Sequence, residues 1–366
     1  MERIKSIDIF RGLSICWMII AHLQMEWLKA TDYSVHLFTF AILDVMGSCA
    51  FLFVSGISTM ISYKKRLKKI TLSNDYTVHK LRNEYHFRAL IIFIMAFSVN
   101  IILAIINSEA RWIFAWQFLQ TLSVSLFIAW PFLSTSRTFR ILIGIFLWIV
   151  NYIVKLVLTP YIDQPNIGGL IFVLLYTTLQ LDGILIFFTY FLIGTIVGEI
   201  IYEIYLIENK NERMHALKNN LLLPSSILGT ILLITGILLD FPEFLNALYR
   251  SFPWMIYSLG FHLILISVLI FIEECGIFHT KKNYRFLFYF SYYSFTVYAT
   301  HYLLTPIFRR QLNAYNIWIF IIIAILLYNT LFRIIYKTLK EKASIKIQIN
   351  IISVKLTRFI EERKNN

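Results

Sequence analysis

Residues 6–28 read "SIDIFRGLSICWMIIAHLQMEWL". As an α-helix rising about 1.5 Å per residue, this stretch is long enough to cross a hydrocarbon core of about 30 Å. Its interior carries almost nothing that water would solvate, apart from Asp8, Arg11 and His22. The reading is a membrane-spanning helix that keeps three ionisable groups at a cost. Arg11 and His22 are eleven residues apart, which brings them to within about 20° of one helix face and about 16 Å apart along the axis.

Outward from this stretch the chain repeats the pattern. Of its 366 residues 58% are apolar and 15% charged, with a mean hydropathy of +0.68. A soluble domain has about 45–50% apolar and about 25% charged residues, so a single aqueous domain is excluded. Windows of the required length and apolarity fall at 7–28, 37–62, 87–107, 112–133, 139–158, 183–204, 220–239, 253–272, 286–308 and 314–336. A further apolar piece, "NIGGLIFVLLYTTLQ" (166–180), is short for a span and reads as re-entrant, interfacial or part of an eleventh crossing. The expected fold is an all-α polytopic integral membrane protein with ten transmembrane helices, or eleven if that piece crosses, in one bundle. Neither an internal repeat nor a linker divides it. One transmembrane domain covers 1–340, and a basic tail covers 341–366.

The net charge of +13 has to be explained by where its residues fall. With the amino terminus inside, 27 of the 34 lysines and arginines lie on the cytoplasmic side, as the positive-inside rule requires. Lys29, Arg250, Arg309 and Arg310 stand at the outer loops or their edges, and Arg11, Arg111 and Lys155 within helices or at their ends. Basic residues so dispersed give no reason to expect nucleic acid as a partner. The run "KKRLKK" (64–69) and the tail are inner-leaflet features, the tail reading as an interfacial amphipathic helix in contact with membrane lipids. The expected location is the cell membrane, with both termini cytoplasmic. Asp8 and Arg11 interrupt what would be the apolar core of a secretory signal, so insertion through the first helix itself is expected. Cys16, Cys49 and Cys275 are widely separated and form no metal-binding or disulfide pattern, so no metal is expected.

The polar residues inside the spans carry the functional reading. For Asp8 and Arg11 the plain alternative is a local i,i+3 ion pair with a snorkelling arginine. In the second span, Asp44 lies about eight residues below the outer surface, where a carboxylate needs a partner or a proton. His36 stands at that span's outer boundary. The small residues at 47, 48, 55, 56 and 58 suit close helix packing. In "YYSFTVYATHYLLTPIF", the residues Ser294, Tyr298, His301 and Thr305 recur at helical spacing, and His301 should lie at the depth of His22. Gln117 and Gln120 share a face of the fourth span beside Trp112 and Trp116, which read as interfacial anchors. A neutral imidazole beside a carboxylate suits removal of a proton from an amine or hydroxyl, or transient acyl carriage.

These segments resemble a known superfamily. "RIKSIDIFRGLSICWMIIAH" (3–22) looks like the opening of the transmembrane acyltransferases, which include heparan-alpha-glucosaminide N-acetyltransferase, its prokaryotic relatives, and the acyltransferase-three enzymes that O-acylate surface sugars. In order, "FLFVSGIS" (51–58), "FAWQFLQTLSVS" (114–125), "YFLIGTIVG" (190–198) and "YSFTVYATH" (293–301) resemble later signatures of the same group. Each motif is short and apolar; their order and spacing carry the resemblance. By position, the R-x10-H pattern of the acyltransferase-three enzymes matches Arg11 and His22. The heparan-type catalytic histidine falls near His36, so the choice between His22 and His36 stays open. The family's second-helix aspartate falls near Asp44, and its late histidine matches His301. The large lumenal domain of the human-type enzyme has no counterpart, so its substrate is not carried over.

The resemblance implies that 1–340 is an acyltransferase domain moving an acyl group, most simply acetyl, from cytoplasmic acetyl-CoA or another acyl-CoA to an amine or hydroxyl of a carbohydrate or glycolipid acceptor outside. His22 or His36 would act as base or acyl carrier, oriented by Asp44. Arg11, with Asp8 and Arg88, would hold the donor. His301 with Gln117, Gln120, Tyr298 and Ser294 would position the acceptor or stabilise the oxyanion. Whether the protein forms a homo-oligomer is left open. The competing class is a proton-coupled transporter or flippase using the same histidines and aspartate as a relay, though its paired Gly/Pro-broken repeats are not found. A non-enzymatic membrane scaffold is the third class.

Overall fold

The computed structural model describes residues 3–72, 76–176, 183–239, 251–276 and 284–365. Every regular element among them is helical, and the one strand-like feature is an isolated bridge between Leu28 and Leu312. The protein is a polytopic all-α membrane protein. Nine described segments are long and apolar enough to cross a bilayer, matching nine of the ten windows expected from hydropathy. Arg250 and positions 177–180 of the short apolar piece lie outside the described residues.

The chain folds as two compact units, Met1–Val54 with Glu203–Gln348, and Ser55–Tyr202 with Ile349–Asn366. In the first unit, α1 (Lys5–Trp27) is followed by α2 (Ser34–Leu43) and the first turns of α3 (Ser48–Leu72). The second expected span is therefore not one helix. A 3-10 turn over Asp44–Met46 separates α2 from α3, and Gly47 closes it. A β-carbon at Gly47 would stand 2.6 Å from the Asp44 carboxylate, so the glycine serves this turn as well as packing.

The second unit contains the rest of α3, then α4 (Val78–Asn107), α5 (Phe118–Ala129), α6 (Arg137–Leu158), α7 (Ile167–Leu175) and most of α8 (Ile184–Ile204). The helix starts follow local chemistry: the hydroxyls of Thr77 and Ser136 accept from the Lys80 and Phe139 amides, capping α4 and α6. Along α6, Gly144, Trp148 and Asn151 are buried while Leu142, Ile145, Phe146, Ile149 and Ile153 are exposed. An apolar face left outward at helical period is the face a lipid-contacting helix presents. Between α3 and α8, Gly56 abuts the Phe191 carbonyl and Gly198 abuts Ile57, so side chains there would force the helices apart. The described part of the short apolar piece forms the nine-residue α7, held by a bond from the Trp116 indole to the Leu174 carbonyl, 2.7 Å.

Back in the first unit come α9 (Lys210–Leu217), α10 (Leu223–Leu239) and α11 (Phe252–Glu274). The window at 286–308 forms three short pieces: α12 (Arg285–Tyr292), α13 (Ser294–Thr300) and a 3-10 segment His301–Phe308. Pro306 lies inside the last piece, lacks an N–H and clashes with the carbonyl four residues back, which disfavours a continuing α-helix. α14 (Ile317–Thr338) then completes the spans. The tail is a helix, α15 (Ile345–Asn365), beginning in the first unit and continuing in the second. Ile349, Ser353 and Thr357, four residues apart, are buried, whereas Ile352, Leu356 and Phe359 are exposed. Asn350 accepts from Arg66 at 3.3 Å and Glu361 pairs with Lys80 at 3.2 Å, so the tail is packed on protein as well as amphipathic.

Candidate functional site

The amino-terminal end of α1 is a closed ionic knot. Asp8, 4% exposed, accepts from Arg3, takes a 2.9 Å bond from the Ser291 hydroxyl, and lies 3.8 Å from Arg11. Lys346 donates to the Ser291 carbonyl at 2.9 Å. Helix starts expose amides with no intrahelical acceptor, and Glu273 of α11 fills that need. It accepts from the Lys5 and Ser6 amides at 2.8 and 2.7 Å and from the Ser6 hydroxyl. Gly12 lets α12 pack closely on α1, because a β-carbon there would lie 2.9 Å from that of Leu287. The i,i+3 pair weighed from the sequence is thus present, inside a wider network.

Near its other end, α1 presents His22 to His301. His22 Nδ1 and His301 Nε2 are 2.6 Å apart, the rings edge to edge with centroids at 4.8 Å and planes 22° apart. His301 is fully buried, and its Nδ1 lies 2.7 Å from the Tyr298 carbonyl oxygen. A carbonyl can only accept, so Nδ1 of His301 carries the proton and its Nε2 keeps the lone pair. His22 Nδ1–H then donates to it. By elimination, the basic nitrogen of a neutral His22 is Nε2. Tyr302 packs on both rings, at 5.5 and 4.1 Å.

The surrounding groups belong to the same unit. His36 is buried between Tyr33 and Phe40, and its Nδ1 has no partner among the described residues. Asp44 is 4% exposed at the turn between α2 and α3. Gln24, two residues beyond His22, is fully buried; one end of its amide meets Thr39 Oγ1 at 2.7 Å, while Nε2 has no partner among the described residues. Sequence reasoning did not single out Gln24, whose burial leaves no mark on the sequence around it. It also missed His262, fully buried with Nε2 2.5 Å from the Val45 carbonyl. Along the broken segment, Tyr298 is 5% exposed, and the buried Ser294 hydroxyl has no partner among the described residues.

Carbonyls released by the break find side-chain donors. Tyr328 bonds the Thr300 carbonyl at 2.8 Å, and the Trp27 indole reaches the Leu304 and Thr305 carbonyls at 3.1 Å. The adjoining loop is stitched to the end of α1, with the backbone amides of Arg310, Leu312 and Lys29 donating to the carbonyls of Glu26, Trp27 and Leu312 respectively.

Gln117, Gln120 and Arg88 lie in the second unit. Gln117 is the residue before α5, so it does not share that helix's face with Gln120, whose oxygen accepts from Asn100 at 2.9 Å. Arg88 on α4 has a buried Nε without a partner among the described residues. No cluster of three metal-ligating side chains is found among the described residues.

The sequence model for the catalytic region of heparan-alpha-glucosaminide N-acetyltransferase matches residues 3–235. The chain belongs to that family. The matched region includes His22, Gln24, His36 and Asp44, and ends before His301. No curated protein and no solved structure matches the chain. Family membership assigns the protein to membrane acetyltransferases, in accord with the expected transmembrane acyltransferase architecture.

Proposed function

We propose that the protein transfers an acetyl group from acetyl-CoA to an amine or hydroxyl of a sugar-containing acceptor, with His22 as base and His301 as the residue that sets its tautomer. The observation carrying this reading is the 2.6 Å contact between two imidazoles, one anchored to the Tyr298 carbonyl, inside an apolar helix bundle. An imidazole held as the correct tautomer by a second group is the arrangement that general-base catalysis needs. His22 Nε2 takes the proton as the acceptor nitrogen or oxygen attacks the thioester carbonyl. The C–S bond then breaks, and the thiolate leaves with that proton as free CoA. His36 and Gln24, with polar atoms lacking partners among the described residues, are suited to hold the acceptor.

The test is transfer of label from radiolabelled acetyl-CoA to amino and neutral sugars by purified protein in liposomes. Labelled sugar from the native protein and none from H22A supports the reading. Absence of transfer to every acceptor, together with proton-driven sugar uptake that needs no CoA, overturns it in favour of a transporter.

A further inference from the structure

A second polar feature of the first unit lies apart from the histidines. At the start of α12 and near the end of α14, a half-open cavity of about 420 Å³ is lined by Arg285, Phe286, Tyr289, Asn329 and Arg333. The lining brings two guanidiniums to one opening, and both arginines are exposed. They stand near helix ends, where a span meets the headgroup layer and a guanidinium can stay hydrated. From Arg333, the same face of α14 continues into the bilayer as an exposed apolar stripe at helical spacing: Leu326, Ile322 and Ile319 are 52–60% exposed. An anion site opening onto such a face suits a molecule with a charged head and a hydrocarbon tail.

We propose that this cavity binds the headgroup of an anionic glycerophospholipid. Arg285 and Arg333 grip the phosphate through charge-assisted hydrogen bonds, for which the guanidinium fork is well shaped. The acyl chains lie along Leu326, Ile322 and Ile319. Asn329 refines the choice of head. Its Nδ2 donates to the Phe286 carbonyl at 3.0 Å, so its oxygen faces a headgroup hydroxyl as acceptor. A glycerol headgroup supplies that hydroxyl, whereas choline does not. Retention of this lipid ties α12, which packs on α1, to α14.

Native mass spectrometry of protein released from nanodiscs of phosphatidylcholine with a minor share of phosphatidylglycerol tests the assignment without any acyl donor, so its failure leaves the acetyl-transfer reading untouched. The native protein is expected to keep one phosphatidylglycerol, R285A/R333A to keep it about tenfold less well, and R333K to fall between. N329A should lose the preference for phosphatidylglycerol over phosphatidic acid while still binding both. Melting temperatures in lipid-free detergent check that each variant folds, and the exposed single change R333Q carries the test if the double variant does not. Equal retention by R333Q or by R285A/R333A and the native protein overturns the proposal. So does displacement of the lipid by CoA, which would assign the arginines to the donor, or by inorganic phosphate at equal concentration.

Discussion

The two ends of α1 handle buried polarity in opposite ways. At its amino-terminal end Asp8, Arg3, Arg11, Ser291 and Glu273 form a network in which a carboxylate answers the cations and the first amides. At the other end His301, His36 and Gln24 are buried and His22 is half-buried, yet the Gln24 Nε2 and His36 Nδ1 find no partner among the described residues. Buried polar atoms without partners cost about 1–3 kcal/mol each, so a fold keeps them only where something else makes use of them. The saturated end builds and the unsaturated end waits for a ligand.

The largest expected break in this contrast comes from H22A or H301A. Each should lower acetyl transfer by about 10² to 10⁴-fold, the range for losing a general base or its orienting partner, with the melting temperature in detergent almost unchanged. D8N should do the reverse. Removing the carboxylate between two arginines destabilises the fold by about 2 kcal/mol, at the low end for a buried pair because Arg3 is half exposed, and thermal melting reads it directly. Transfer per folded molecule should change less than tenfold, an order-of-magnitude bound from a site about 21 Å from His22 along the axis. Q24L should raise the acceptor KM about tenfold without loss of stability, since it removes a donor that the folded protein leaves unpaired. A smaller effect on melting from D8N than from Q24L would dissolve the distinction between the two ends. At the bottom of the scale, R309A breaks a 3.8 Å pair with Glu26 from a side chain 72% exposed, and should change neither readout.

Much of this is legible in the chain. Composition and window length locate the nine spans, and face arithmetic on α1 with the matching depth of His301 leads to the pair that meets at 2.6 Å. Backbone geometry and long-range pairing are harder to read. Hydropathy sums side chains and is blind to a turn, so 37–62 and 286–308 look continuous although Gly47 and Pro306 are there to be weighed. Glu273 looks like a helix-end carboxylate because its partners, the α1 amides, are 267 and 268 residues away. The tail looks interfacial for the same reason: the contacts of Asn350 and Glu361 with the 66–80 region leave no local trace. Gln24 reads as an ordinary polar residue near a helix end, since burial is not written in its neighbours.

The histidine contact spans 279 residues of chain. At synthesis rates of about 5–20 residues per second, about 14–56 seconds separate the appearance of the two rings at the ribosome. Throughout that interval the first helix has to reside in the membrane with its imidazole unmatched. Premature termination anywhere before the broken segment would therefore yield an inserted product with one half of the pair, recognisable to quality control by a polar residue facing lipid.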